Sequence, residues 1–193
     1  MRALLPGLLV ILVLWPGLAW AEGPVDRVVI LEAGVFSSGD AGVPDESGRA
    51  STGLLPLLIV NDSRLLERTD RVEARLCVRF GIRYATPDLP EPLAAKVTIR
   101  VTHPVVRRPD GVEGTVESWE TTVGQEPRMS GFEFDERWEA IPGRWTFEVV
   151  SGETVLAAHG FDVVPPGPVT RLPAGALPER CGAKVSYTNP PKD

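Results

Sequence analysis

Arg71-Val72-Glu73-Ala74-Arg75-Leu76-Cys77-Val78-Arg79-Phe80-Gly81-Ile82-Arg83-Tyr84 is the longest alternating stretch of the chain. Val72, Ala74, Leu76, Val78, Phe80, Ile82 and Tyr84 fall on one parity, and the arginines, Glu73, Cys77 and Gly81 on the other. A period of two over this length specifies a β-strand with one buried face, bent at Gly81, because a helix would scatter the same side chains around its circumference. Lys96–His103 repeats the pattern, with Val97, Ile99 and Val101 inward. Working outward, Arg27–Phe36, Leu54–Val60, Val116–Val123 and Met129–Phe134 read as further strands. Ile141-Pro142-Gly143-Arg144 suits a type II turn leading into Trp145–Val150, and Ser151-Gly152 turns the chain back into Thr154–Val164. On that return strand Leu156 and Phe161 have opposite parity, which a bulge near Gly160 reconciles. Many short alternating strands and no convincing amphipathic helix give an all-β fold, an immunoglobulin-like antiparallel β-sandwich.

The N-terminus has a different character. Met1-Arg2 precedes an apolar run from Ala3 to Leu14, the breakers Pro16 and Gly17, and Ala19-Trp20-Ala21. This is the layout of a secretory signal peptide (1–21) cleaved after Ala21, and Pro16-Gly17 leaves the run short of the roughly 20 apolar residues of a spanning helix. Residues 22–164 form the sandwich domain, with a Gly-, Ser- and Asp-rich loop at 37–53, and 165–193 is a Pro-rich, extended C-terminal tail. The expected compartment is the periplasm or the extracellular medium, with no membrane span after cleavage. Loss of Arg2 makes the mature chain one unit more negative than the net −6 of the whole sequence, which argues against nucleic acid as a partner. Cys77 and Cys181 are the two cysteines, and in an oxidising compartment they are expected to pair. Alternation points the Cys77 sulfur outward, so such a bridge would draw the tail over the outer face of the strand.

Arg68-Thr69-Asp70-Arg71-Val72 leads into Val78-Arg79-Phe80-Gly81-Ile82, and His103-Pro104 follows a strand. The most specific pattern is Phe132-x-Phe134-Asp135-x-x-Trp138-Glu139-x-Ile141-Pro142-Gly143-x-Trp145-Thr146-Phe147, closed by Val155-Leu156-Ala157 and Phe161-x-Val163. Together these motifs resemble the family catalogued as domain of unknown function 3859, found in bacterial and often exported proteins, over about Val25 to Val164. The resemblance implies a fold and carries no activity, cofactor or site residue with it.

Chemistry-bearing residues are few. No catalytic, cofactor-binding or metal-ligating constellation is legible: HxH, HExxH, CxxC and GxSxG spacings are all missing from the sequence. His103, before Pro104, reads as a turn residue, and His159 as a half-buried strand residue. Asp135, Glu136 and Glu139 read as a solvated loop, since calcium needs six to eight oxygens at defined spacing. Trp119, Phe132, Phe134, Trp138, Trp145, Phe147 and Phe161 read as core, with a ligand platform as the alternative. Arg71, Arg75, Arg79 and Arg83 form a basic stripe on the polar face of the long strand. It is read either as a ladder of pairs with residues such as Glu120, Glu133 and Glu148 or as a surface for an anionic partner.

The reading that follows is a non-enzymatic binding, accessory or structural module of the bacterial envelope, its partner unknown and its cofactors none. Two other readings stay open: a hydrolase or carbohydrate-active enzyme using carboxylates such as Asp135 and Glu139, and a small-ligand carrier with a cavity between the sheets. Intact-mass analysis of the envelope-localised protein is expected to place its N-terminus at Glu22. Recovery of a full-length, membrane-embedded chain would contradict the export reading.

Overall fold

The long alternating stretch is two strands, not one. The computed structural model describes residues 25–37, 57–59 and 63–167, and within it the chain leaves one sheet after Glu73 and enters another at Arg79. The expectations about the signal peptide, most of the 37–53 loop, Cys181 and the tail beyond 167 lie outside the described residues. Between the two strands Arg75 N–H donates to the Glu73 carbonyl and Val78 N–H to the Arg75 carbonyl, and Cys77 takes a positive φ of 67°. This turn reverses the expected parity: Cys77 is buried at 3 % exposure, while Leu76 is only half-buried. The Cys77 sulfur therefore does not point outward from a strand face. Cys77 is disulfide-bonded.

Among the described residues ten strands result: β1 (Val29–Phe36), β2 (Leu57–Ile59), β3 (Leu65–Arg68), β4 (Arg71–Glu73), β5 (Arg79–Ala85), β6 (Ala95–Arg107), β7 (Glu113–Val123), β8 (Arg128–Glu133), β9 (Gly143–Ser151) and β10 (Thr154–Val164). One sheet has the order β2-β8-β5-β1-β3 and the other β4-β10-β9-β6-β7. All pairings are antiparallel except β4 with β10. Only β3 had no counterpart in the sequence reading.

Irregularities fall where the chemistry demands them. In β10 the register shifts between Val155 and Ala157, so Leu156 is the extra residue of a bulge. This brings Ala157, His159 and Phe161 into phase with Val149, Phe147 and Trp145, and the expected bulge near Gly160 is not needed. In β6 the ladder to β7 breaks between Thr102 and Val106, around Pro104, which has no N–H to donate. His103 is consequently a core-facing residue inside β6, at 4 % exposure, and not a turn residue.

The core is an aromatic lock. Phe80 of β5 meets Phe132, Phe134, Trp145, Phe147 and Phe161 at centroid separations of 5.3–6.4 Å, four of the five contacts edge to face. Phe80, Phe132 and Phe134 come from the first sheet and its outgoing end, the other three from β9 and β10. These rings are buried, as expected of core, and Trp145 Nε1 donates to the Ile141 carbonyl at 3.1 Å. Val72, Val78, Ile82, Tyr84, Ile99, Val101, Val149 and Val163 complete the packing.

The outer face of the first sheet is built in rows. Phe36, Arg79 and Glu133 are opposite one another, then Gly34, Gly81 and Gly131, then Glu32 and Arg83 with Met129. The glycine row reflects backbone crowding, because a Cβ at Gly81 would overlap the Ser130 carbonyl and one at Gly34 the Glu67 carbonyl. Phe80→Ala is expected to lower stability by about 3–5 kcal/mol, measured by urea unfolding, because it empties the centre of the ring cluster. A loss below about 1 kcal/mol would mean that Phe80 is not the hub.

Candidate functional site

The four arginines of the expected stripe are dispersed by the change of sheet at residues 74–78. Arg71 is exposed on β4, opposite Asp162 of β10. Arg75 pairs with Glu73 at 2.8 Å in the crossing turn. Arg79 is buried at 3 % exposure and grips the Glu133 carboxylate through Nε and Nη2 at 2.7 and 2.6 Å. Arg83 pairs with Glu32 at 2.9 Å, donates to the Ser63 carbonyl and lies 5.5 Å from the centroid of the Phe36 ring. Among the described residues these four arginines form no continuous basic surface. Of the expected acidic partners, Glu133 holds Arg79, while Glu148 holds Arg100 at 2.6 Å instead.

The carboxylates of the β8–β9 loop are not a solvated cluster either. Asp135 is exposed, but Glu139 is buried, and its Oε2 accepts from the backbone N–H groups of Asp135 and Glu136 at 2.8 Å each. Burial raises the Glu139 pKa from its ordinary 4.5 to about 7, against the pull of those two N–H groups and with help from the neighbouring Asp135 and Glu136 charges. A side chain that closes its own loop in this way is a structural tie.

His103 is also internal. Its ring stacks on Trp145 at 4.8 Å, and Nδ1 lies 2.8 Å from the Pro104 carbonyl. A carbonyl oxygen only accepts, so Nδ1 carries a proton. Nε2 faces the buried Glu117 carboxylate at 3.9 Å, too far for a direct hydrogen bond.

The polar groups that do converge at an opening lie on the seam of the sandwich. There β3, an edge of one sheet, passes through Thr69-Asp70 into β4, an edge of the other. The turn is fixed by reciprocal bonds of 3.1 Å: Arg71 N–H donates to Thr69 Oγ1, and the Thr69 hydroxyl donates to the Arg71 carbonyl. Asp162 N–H donates to the Asp70 carbonyl at 2.7 Å and ties the turn to β10. A cleft of about 430 Å³ opens here, lined by Ala33, Arg68, Thr69, Asp70 and His159. His159, half-buried as expected, leans on the Phe161 ring at 4.8 Å and holds Asp70 Oδ1 by Nε2 at 2.9 Å. Arg68 Nη1 donates to the Leu31 carbonyl at 3.3 Å, and among the described residues its guanidinium forms no ion pair. Of these residues sequence reasoning singled out only His159. Its one pointer to the rest was Arg68-Thr69-Asp70 as an opening motif.

A His–Asp pair is the orienting half of a nucleophilic or acid–base site, and such a site needs a nucleophile within reach. The hydroxyl beside it, Thr69 Oγ1, is engaged by its own turn. What the cleft offers is recognition: a guanidinium fork, an imidazole and a carboxylate on the rims of both sheets.

This architecture defines the class, an immunoglobulin-like β-sandwich. It is similar to a solved immunoglobulin-like protein from Pseudomonas aeruginosa, with a TM-score of 0.51 and 25 % sequence identity over 75 % of this chain and 99 % of that one. The chain belongs to the family described as domain of unknown function (DUF3859), whose profile matches residues 28–163. No curated protein matches the sequence.

The Glu139 tie sets a pH dependence. Its pKa is higher folded than unfolded, so the folded chain binds more protons between pH 4.5 and about 7, and stability falls as pH rises through that window. Glu139→Gln retains an oxygen acceptor and cannot ionise. It is expected to match the parent near pH 4.5 and to exceed it by on the order of 2 kcal/mol at pH 8 in urea unfolding. Identical pH profiles for the two proteins would rule out the carboxyl as their source.

Proposed function

We propose that the chain is an exported, non-enzymatic binding module of the bacterial envelope, and that it meets a partner protein at the seam cleft. The observation that carries this reading is Arg68, a cation that donates to a backbone carbonyl and stands beside the His159–Asp70 pair at an opening between two sheet edges. Sites placed on strands are held more rigidly than sites on loops, which suits recognition of a fixed shape. The space that a small-ligand carrier would keep open is taken up by the Phe80 ring cluster. Export is supported by Met1-Arg2, the apolar run to Leu14 and Ala19-Trp20-Ala21. A bridge from Cys77 to Cys181 belongs to the same reading, since Cys77 is disulfide-bonded and Cys181 is the other cysteine of the chain. An immunoglobulin-like fold alone does not decide the matter, because function is carried by sites.

Site-specific photo-crosslinking in the native envelope tests the proposal. A crosslinker at position 69 is expected to trap a discrete partner, and one at Thr98, on β6 between β9 and β7 and away from the cleft, is not. Arg68→Glu should abolish the adduct without lowering the melting temperature. Adducts of equal yield from both positions, or an enzymatic turnover lost in His159→Ala, would overturn it.

A further inference from the structure

The cleft has a chemical preference that the binding reading alone does not supply. Four observations set it. His159 and Asp70 satisfy each other at 2.9 Å, so the carboxylate in the cleft is already engaged by a donor. Arg68 spends one N–H on the Leu31 carbonyl at 3.3 Å, and a guanidinium has five N–H donors in a planar fork. Thr69 turns its hydroxyl to Arg71 and His159 spends its Nε2 on Asp70, which leaves Arg68 as the side chain of the lining with N–H donors to spare. The remaining wall is Ala33, with the Phe161 ring under His159, so the surroundings are small and partly apolar.

We propose that the cleft binds a carboxylate presented by an acidic segment of the partner, gripped side-on by the Arg68 fork beside the His159–Asp70 pair. A planar carboxylate accepts two parallel N–H bonds from one guanidinium, which a backbone carbonyl cannot do. The volume of about 430 Å³ admits one or two side chains, not a folded domain. Asp70 sets the selectivity. A ligand of diffuse negative charge meets its repulsion, whereas a single carboxylate placed on the Arg68 side avoids it. His159 stays held by Asp70 throughout and forms the wall of the cleft that faces Arg68 from the other sheet.

This inference rests on the cleft being a binding site, and the test separates the two claims. The mature protein, residues 22–193 with its disulfide intact, is titrated by ¹H–¹⁵N NMR with three probe peptides of equal length: one carrying Glu residues, one with Gln in their place and one with Lys. The Glu peptide is expected to shift the amides of residues 33, 68–70 and 159 saturably, with affinity falling as salt rises. Arg68→Gln should weaken binding at least tenfold while leaving spectral dispersion unchanged, and Arg68→Lys should restore only part of it. Equal response to the Gln peptide, or undiminished binding of the Glu peptide by Arg68→Gln, would overturn the carboxylate assignment. If the Lys peptide alone moves the cleft residues, the carboxylate assignment falls and the binding module stands. If no peptide moves them and no crosslinked partner forms at position 69, both fall.

Discussion

The packing of rings around Phe80 is the constraint from which the rest follows. A sandwich of two five-stranded sheets is held chiefly by side chains that interdigitate between them, and here one residue of the central strand β5 touches rings from three strands and the β8 end. Edge-to-face pairs contribute about 0.5–1.5 kcal/mol each beyond their burial, and they also fix relative orientation because the ring edge must meet a ring face. The lock therefore sets the angle and spacing of the sheets. It also explains why the chain crosses between them where it does: Val72 and Val78 must both reach this core, from opposite sheets, within the span of one turn. Cys77 accommodates that demand with its positive φ, and its N–H donates to the Phe134 carbonyl at 2.8 Å, anchoring the crossing just past the end of β8, beside Phe132 and Phe134.

Charges taken out of water are the second theme. Arg79 and Glu133 are both almost fully buried, and a pair of this kind costs desolvation that its attraction roughly offsets. Removing one partner alone leaves a bare charge, so the pair acts more as a specifier of register between β5 and β8 than as a source of stability. Arg79 Nη1 also reaches the Ser37 carbonyl, which fastens the end of β1 to the same row. The exposed pairs Arg107–Glu113 and Arg144–Asp162 are of another kind, screened by solvent and worth little. His103 belongs with the buried group. Its ring fills a place beside Trp145, and its Nδ1 proton is used locally at the break that Pro104 makes in the ladder.

Much of the fold is legible in the sequence, and the failures are local. Alternation in two stretches, with turn signals and further strand candidates, covered nine of the ten described strands, because an inward and an outward face follow directly from the pleat. It missed β3, four residues with no alternation of burial, and it joined β4 to β5 because parity survives a turn that swaps Leu76 for Cys77. The error at one turn misplaced the arginines: on a continuous strand they share a face, and on two strands of different sheets they do not. His103 was misread because its proline neighbour suggested an end, where the strand instead bulges and continues. Glu139 was misread because a carboxylate in an acidic loop looks solvated until the loop closes over it. The seam cleft was not legible at all beyond His159. Residues 33, 68–70 and 159 are far apart in sequence, and only the order of strands in the two sheets brings them to one opening.

That dependence on strand order gives the cleft a mechanical character. Ala33 and Arg68 belong to one sheet, His159 to the other, and Thr69-Asp70 is the covalent link between them. The width of the opening is thus the separation of the sheets at their margin. Because the ring cluster sets that separation, Phe161 is shared by both systems: it packs against Phe80 at 5.3 Å on one side and supports the His159 ring at 4.8 Å on the other. A group bound between Arg68 and His159 would bridge the two sheets at the rim that the rings bridge at the centre. Recognition at such a place requires no moving part, since the core that makes the sandwich stable also holds the two sides of the cleft at their working distance.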